Sequence, residues 1–161
     1  MERLWSPWRM QYIEDARDED DTCIFCELPN EDRDDTNFIL ARERHAFALL
    51  NAFPYNPGHL MVAQYRHVGD LEELAPDEIV DSGTLLQRSV RALREVMDPQ
   101  GFNLGMNLGR VAGAGVPGHL HWHVVPRWNG DTNFMPVVGA TRVLPESLDD
   151  TYGKLKPRFE S

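Results

Sequence analysis

Two cysteines in 161 residues are too few for a disulfide framework, and they argue against a secreted, stapled fold. No apolar run approaches the roughly 18 residues that a membrane span requires, and the Met1 end lacks the apolar core of a secretory leader. Both absences point to the cytoplasm and away from a membrane. Basic residues are also scarce: 16 Lys and Arg stand against 26 Asp and Glu, a formal charge of −10. That deficit argues against duplex nucleic acid as a partner, because such proteins carry a basic footprint. There is no internal repeat and no linker-like stretch, so residues 1–161 read as a single domain. At 42% hydrophobic the chain can build one core, and at this length it is too short for two full domains.

The acids are not spread evenly. Between Glu14 and Asp35 lie eleven of them with only Arg17 and Arg33 to offset, so this stretch holds −9 of the −10. Such a run reads as a solvated surface segment. One feature points to local order within it: Cys23-Ile-Phe-Cys26 places two thiols at metal-ligand spacing. A redox pair or two buried thiols are the other readings of these cysteines.

Elsewhere the pattern predicts an α+β domain. Met1 to Ile13 carries Trp5, Trp8 and Tyr12, and so much apolar surface is expected to pack. Asn37–Ala41, Ala46–Asn51, His59–Ala63, Phe102–Asn107 and Leu120–Pro126 read as five short strands. Prolines and Gly58 mark the loop from Asn51 to Gly58. Asp77–Met97 reads as one long helix, with Ile79, Gly83, Leu86, Val90, Leu93 and Met97 forming its apolar stripe. Short links suit a mainly antiparallel sheet of about five strands with the helix on one face. A short helix and a C-terminal extension over about 137–161 complete the expected fold.

The chemistry is concentrated in Gly118-His-Leu-His-Trp-His-Val-Val-Pro126. By composition, such a histidine pattern has odds of about 1% of arising by chance. Alternation along a strand puts His119, His121 and His123 on one face and Leu120, Trp122 and Val124 on the other. Three imidazoles make poor core, so their face should line a site. Reach counts against a single three-histidine metal centre. On a straight strand His119 and His123 lie about 13 Å apart, while Zn–N bonds are only about 2 Å long. Division of labour fits better, with an end histidine serving one site and its neighbours another. Ahead of them, Ala112-Gly-Ala-Gly115 is nearly free of side chains, so its N–H groups could approach an anion. Neutral imidazole is a competent nucleophile toward phosphorus.

At this point the sequence resembles the histidine triad (HIT) family of nucleotide-binding hydrolases and transferases. The resemblance is carried by His119-Leu-His-Trp-His-Val-Val, Asn56-Pro-Gly-His-Leu-Met-Val62, Phe102-Asn-Leu-Gly-Met-Asn107 and Pro126-Arg-Trp-Asn-Gly-Asp131. It runs from about Cys23 to Pro136, and within the family it is similar to diadenosine tetraphosphate phosphorylases and fragile-histidine-triad proteins. The resemblance implies an ATP adenylyltransferase-like enzyme acting on an adenosine nucleotide or dinucleoside polyphosphate. In that reading His121 is the nucleophile that forms a nucleotidyl-histidine, His123 stabilises charge on the α-phosphate, and His119 completes the triad. Asn51 falls where the family places a ribose-binding residue, His59 lines the same pocket, and Asn107, Gly113 and Gly115 border the phosphates. A homodimer that joins two sheets is also implied.

Some members of the family hold a structural zinc with C-x-x-C and two histidines. The matching positions are Cys23, Cys26, His67 and His119, with His45 as a rival for the third ligand. Cys₂His₂ is a complete tetrahedral set, which suits a structural ion. The chain departs from the family at Val116 and Gly115, where many relatives carry a hydroxyl and a glutamine. That leaves open whether water or inorganic phosphate resolves the intermediate. A nucleoside phosphoramidase, a nucleotide-sensing module with little turnover and a catalytic-zinc hydrolase are the alternatives.

Overall fold

In the computed structural model, which describes residues 23–131 and 146–160, the apolar runs assemble into one five-stranded sheet. Its strands are β1 (Ile39–Arg42), β2 (Ala46–Leu50), β3 (Leu60–Gln64), β4 (Gly101–Met106) and β5 (His121–Arg127). They lie in the order β1-β2-β3-β5-β4, and each neighbouring pair is antiparallel. The α+β class is as expected, and each strand falls within two residues of its expected bounds. The expected packing of residues 1–13, the acidic stretch 14–22 and residues 132–145 lie outside the described residues.

Every residue of β2 and of β3 is buried. Both faces of the sheet are covered there, so these strands read as continuous apolar runs rather than as alternating ones. One face carries Leu40, Leu50, Leu60, Val62 and Val124, packed against Leu85 and Leu93 of the long helix. The opposite face carries Ile39, Phe47, Leu49, Met61 and Ala63, closed by Phe25 from α1 (Ile24–Glu27).

The long helix α2 (Pro76–Met97) begins with Pro at its first turn, where no intrahelical N–H is lost. The Glu78 carboxylate accepts from the Ala75 N–H at 2.8 Å, and Asp98 ends the helix in a left-handed conformation at φ +46. Its inward line differs from the expected stripe. Glu78, Ser82, Leu85, Ser89, Ala92 and Leu93 are buried, whereas Ile79 is 51% exposed. The 4-3-4-3 spacing survives, but one position earlier along the helix. An apolar-only pattern misses this line because three of its members are polar. Two of those are satisfied inside the protein: Gln64 Nε2 donates to Ser82 Oγ at 2.6 Å, and Arg66 grips Glu78 at 2.7 Å.

The C-terminal extension is not an appendage. Residues Leu148–Phe159 form α3, capped by Ser147 Oγ accepting from the Asp150 N–H. Leu155 and Phe159 are buried in the main core. Tyr152 Oη and Lys156 Nζ donate to the Ile39 carbonyl, and Lys156 also to that of Leu40, which occupies the outer edge of β1. Among the described residues no helix is long and apolar enough to cross a membrane.

Candidate functional site

Strand pairing sets the stage. His123 of β5 lies opposite Met61 on one side and Gly105 on the other, and His121 lies opposite Ala63. Opposed side chains share a face, so the small residues Gly105 and Ala63 leave that face to the imidazoles. Trp122 and Val124 point the other way, into the helix-side core. His121 and His123 come together, their ring centroids 5.0 Å apart.

His119 turns aside from this pair. Its ring is 1% exposed, with Nδ1 lying 3.2 Å from Cys23 Sγ and 3.6 Å from Cys26 Sγ. Cys26 Sγ is in turn 3.4 Å from His67 Nδ1, and one ligand atom from each of the four residues lies within 4.8 Å of the others. Tetrahedral Zn–S and Zn–N bonds place sulfur and nitrogen about 3.5 Å apart, so the spacing fits a zinc ion. The surrounding bonds fit as well. His119 Nε2–H donates to the Gln64 carbonyl at 2.8 Å, which leaves Nδ1 as the lone-pair nitrogen facing the sulfurs. Burial holds His119 down to about 4, with neighbouring His67 and His121 acting the same way, so its ring is neutral at pH 7. Partial burial, with Cys23 alongside, pushes the Cys26 thiol up to about 11; a thiolate there calls for a cation. Gly118 makes the room this needs, since a Cβ would come 3.3 Å from His67 Nε2. His45 does not join the cluster. Its Nε2 lies 3.1 Å from Asp77 and its N–H donates to Asp81, both at the start of α2.

The remaining histidines have defined proton positions. His121 Nδ1–H donates to the His119 carbonyl at 2.9 Å, which makes Nε2 the lone-pair nitrogen. Burial also lowers the pKa of His121, favouring the neutral ring. Farther along, the Tyr55 N–H donates to His59 Nδ1 at 3.0 Å, so His59 carries its proton on Nε2. That proton is directed at His123 Nδ1, 3.0 Å away, and His123 therefore holds its own proton on Nε2. The two neighbouring histidines are thus opposite tautomers, one with a lone pair at Nε2 and one with a donor there.

Asn51 supports this arrangement from the loop. Its Nδ2 lies 3.3 Å from His59 Nδ1 and its Oδ1 accepts from the Phe53 N–H at 2.9 Å, so its amide shapes the loop that carries His59. Asn107 Nδ2 donates to the Gly113 carbonyl at 3.3 Å and ties the glycine loop to the end of β4. Gly113 has φ +91, a conformation that suits glycine. Three amides of the glycine loop serve its own turns: Ala112 and Ala114 donate to the Gly109 carbonyl, and Gly113 donates to that of Arg110. The N–H groups of Gly115 and Val116 take no part in these turns.

Three participants were not evident in the sequence. Phe25, 1% exposed, lies against His121 with centroids 4.7 Å apart; its place inside the cysteine pair was the only cue. Tyr55 stacks on His123 at 5.9 Å and lies tilted against His59 at 4.6 Å. The Gln64 carbonyl, which orients His119, carries no sequence signal.

Comparison with known proteins bears on the family and the fold. A family model described as the HIT domain matches residues 32–130. The AP-4-A phosphorylase of Mycobacterium tuberculosis is 42% identical over 158 residues, covering 94% of this chain and 80% of that protein. The asymmetrical bis(5'-nucleosyl)-tetraphosphatase of Schizosaccharomyces pombe is 32% identical over 93 residues, covering 58% of this chain and 50% of that protein. A Zn-bound histidine triad family protein from Mycobacterium smegmatis shares the fold with a TM-score of 0.68 at 25% identity, covering 86% of this chain and 94% of that one.

Proposed function

This chain belongs to the HIT domain family, and we propose that it cleaves a phosphoanhydride of a dinucleoside polyphosphate of the diadenosine tetraphosphate type. The observation that carries the reading is the tautomer of His121, whose proton is committed to the His119 carbonyl so that Nε2 can attack. In the first step that Nε2 lone pair forms a bond to the α-phosphorus. The P–O anhydride bond breaks, its electron pair leaves with the departing nucleotide, and nucleotidyl-His121 remains. His123 Nε2–H and the amides of Gly115 and Val116 donate to the phosphoryl oxygens as charge builds there. In the second step an oxygen of inorganic phosphate attacks the same phosphorus, the N–P bond breaks, and a nucleoside diphosphate is released. Similarity to the mycobacterial phosphorylase supports phosphate over water as the acceptor.

Cys23, Cys26, His67 and His119 would hold a structural zinc. When bound, it cross-links the cysteine turn to the start of β5 and supplies no chemistry at phosphorus. β4 is the sheet edge that α3 does not cover, with Leu104 48% exposed, and it offers the surface for the homodimer we assign. A cytoplasmic location follows the same reading. The test is product analysis from diadenosine tetraphosphate with and without inorganic phosphate. ADP beside ATP only when phosphate is present supports phosphorolysis, and AMP beside ATP without it supports hydrolysis. His121→Ala should abolish turnover and leave nucleotide affinity within about a few fold, as expected for a group that acts only in the chemical steps.

A further inference from the structure

The cysteine cluster and the histidine pair are joined by one side chain. Phe25 sits between Cys23 and Cys26 in α1, a helix of four residues. Its ring centroid is 4.7 Å from that of His121 at an interplanar angle of 32°, and 5.3 Å from that of His119 at 49°. It is 1% exposed and is backed by Phe47, Leu49 and Met61. A helix this short does not hold itself in water, so its position depends on what anchors it. The anchors are Phe25 itself, the thiols of Cys23 and Cys26 against His119 and His67, and the Asn30 Nδ2 bond to the Cys26 carbonyl at 2.7 Å.

The same residue therefore answers to both sites. Cross-linking the two thiols to His119 and His67 fixes the turn, and the fixed turn holds Phe25 against the ring of His121. With the turn released, the ring of His121 loses the wall that keeps Nδ1 toward the His119 carbonyl and Nε2 toward the pocket. We propose that Phe25 is a positioning residue through which occupancy of the Cys23–Cys26–His67–His119 cluster sets the orientation of His121. This rests on His121 being the nucleophile, and it adds a route by which metal supply governs the rate of a site that contains no metal in its chemistry.

The coupling makes a specific demand: removing the metal and removing Phe25 must not act independently. Zinc-loaded and EDTA-treated forms of the wild type, Phe25→Leu and Phe25→Ala are compared for kcat with diadenosine tetraphosphate, with zinc content measured in each. EDTA should slow the wild type about ten- to a hundredfold, the scale of a misplaced reacting group. It should slow Phe25→Ala by less than about twofold, because loaded Phe25→Ala is already slow. Imidazole nitrogen NMR gives a readout without turnover. His121 should show one protonated Nδ1 and one bare Nε2 in the loaded wild type, and averaged nitrogens in zinc-loaded Phe25→Leu. The proposal is overturned if EDTA slows Phe25→Ala as much as the wild type, or if His121 of loaded Phe25→Leu is indistinguishable from the wild type. The NMR arm decides even where EDTA unfolds the wild type. Turnover by His121→Ala would instead refute the nucleophile assignment, and the NMR comparison would still report whether Phe25 fixes that ring.

Discussion

Replacing either of two glycines by alanine makes the same chemical change with opposite expected signs. Gly58 precedes His59 and has φ +74; a Cβ there would lie 2.8 Å from Leu93 Cδ2 and 2.7 Å from Met97 Sδ. Leu93 is fully buried and cannot retreat, whereas the Met97 side chain is flexible. The left-handed conformation costs an alanine about 1 kcal/mol or more, and overpacking against Leu93 adds about 1–3 kcal/mol. Gly58→Ala should thus lose about 3 kcal/mol, a fall in Tm of about 6–12 °C for a chain of this size. Gly83 lies inside α2, and a Cβ there would meet nothing within 4 Å. Gly83→Ala removes only backbone freedom from the unfolded chain, so it should gain about 0.5–1 kcal/mol. Urea unfolding of the two variants beside the wild type measures both. Because Gly58 sets the approach to His59, Gly58→Ala should also turn over more slowly at temperatures where it is still folded. A Gly58→Ala stability within about 1 kcal/mol of the wild type would refute the packing of this loop on α2.

Leu155→Ala in α3 should lose about 2–4 kcal/mol by urea unfolding, because that side chain is fully buried in the main core; a loss below about 1 kcal/mol would mean α3 is not part of it. Ser147→Ala removes the cap of the same helix and should lose about 1 kcal/mol in the same assay. Glu78 is held down to about 2 chiefly by its bonds to Arg66. A depressed carboxyl stabilises the fold above its unfolded pKa and loses that contribution as pH falls from about 4.5 toward 2. Since the Arg66 side chain is 47% exposed, the contribution is about 1–2 kcal/mol. The wild type should therefore exceed Glu78→Gln in stability at pH 7, with the gap closing below about pH 4.5. Zinc removal by EDTA should lower Tm together with activity, and loss of activity with Tm unchanged would point to a catalytic ion instead.

Much of the fold was legible because it depends on period. Five apolar runs at strand length and one long helical repeat specify an antiparallel sheet with a crossing helix, whichever side chains fill them. The inward line of α2 was not legible, because Glu78, Ser82 and Ser89 are polar and two of them become acceptable in a core only through Arg66 and Gln64, distant in sequence. Nor was α3, whose burial depends on an edge of β1 more than a hundred residues earlier in the chain. In the site, the cysteine spacing suggested a metal and the resemblance to the family supplied the four cluster residues, but the choice between His67 and His45 is a matter of where two loops end. His67 follows β3 and reaches Cys26, while His45 precedes β2 and meets α2 instead.

The division of labour along the histidine row comes from the partners that orient each ring. Two residues of strand rise separate His119 from His121 by roughly 6–7 Å, close enough for a bond from one ring to the other residue's backbone. His119 uses both of its polar ends: the ring faces Cys23 and Cys26, and the carbonyl accepts the proton of His121 Nδ1. Its ring position is fixed a second time by the Gln64 carbonyl. The residue assigned to the metal therefore also determines which nitrogen of its neighbour keeps the lone pair. His123, one more step along, is set from the opposite end by His59 and the Tyr55 N–H, which gives it the opposite tautomer. A strand with three equivalent imidazoles acquires three roles because each is oriented by a different partner, and only the first of those partners, the cysteine pair, is visible in the sequence.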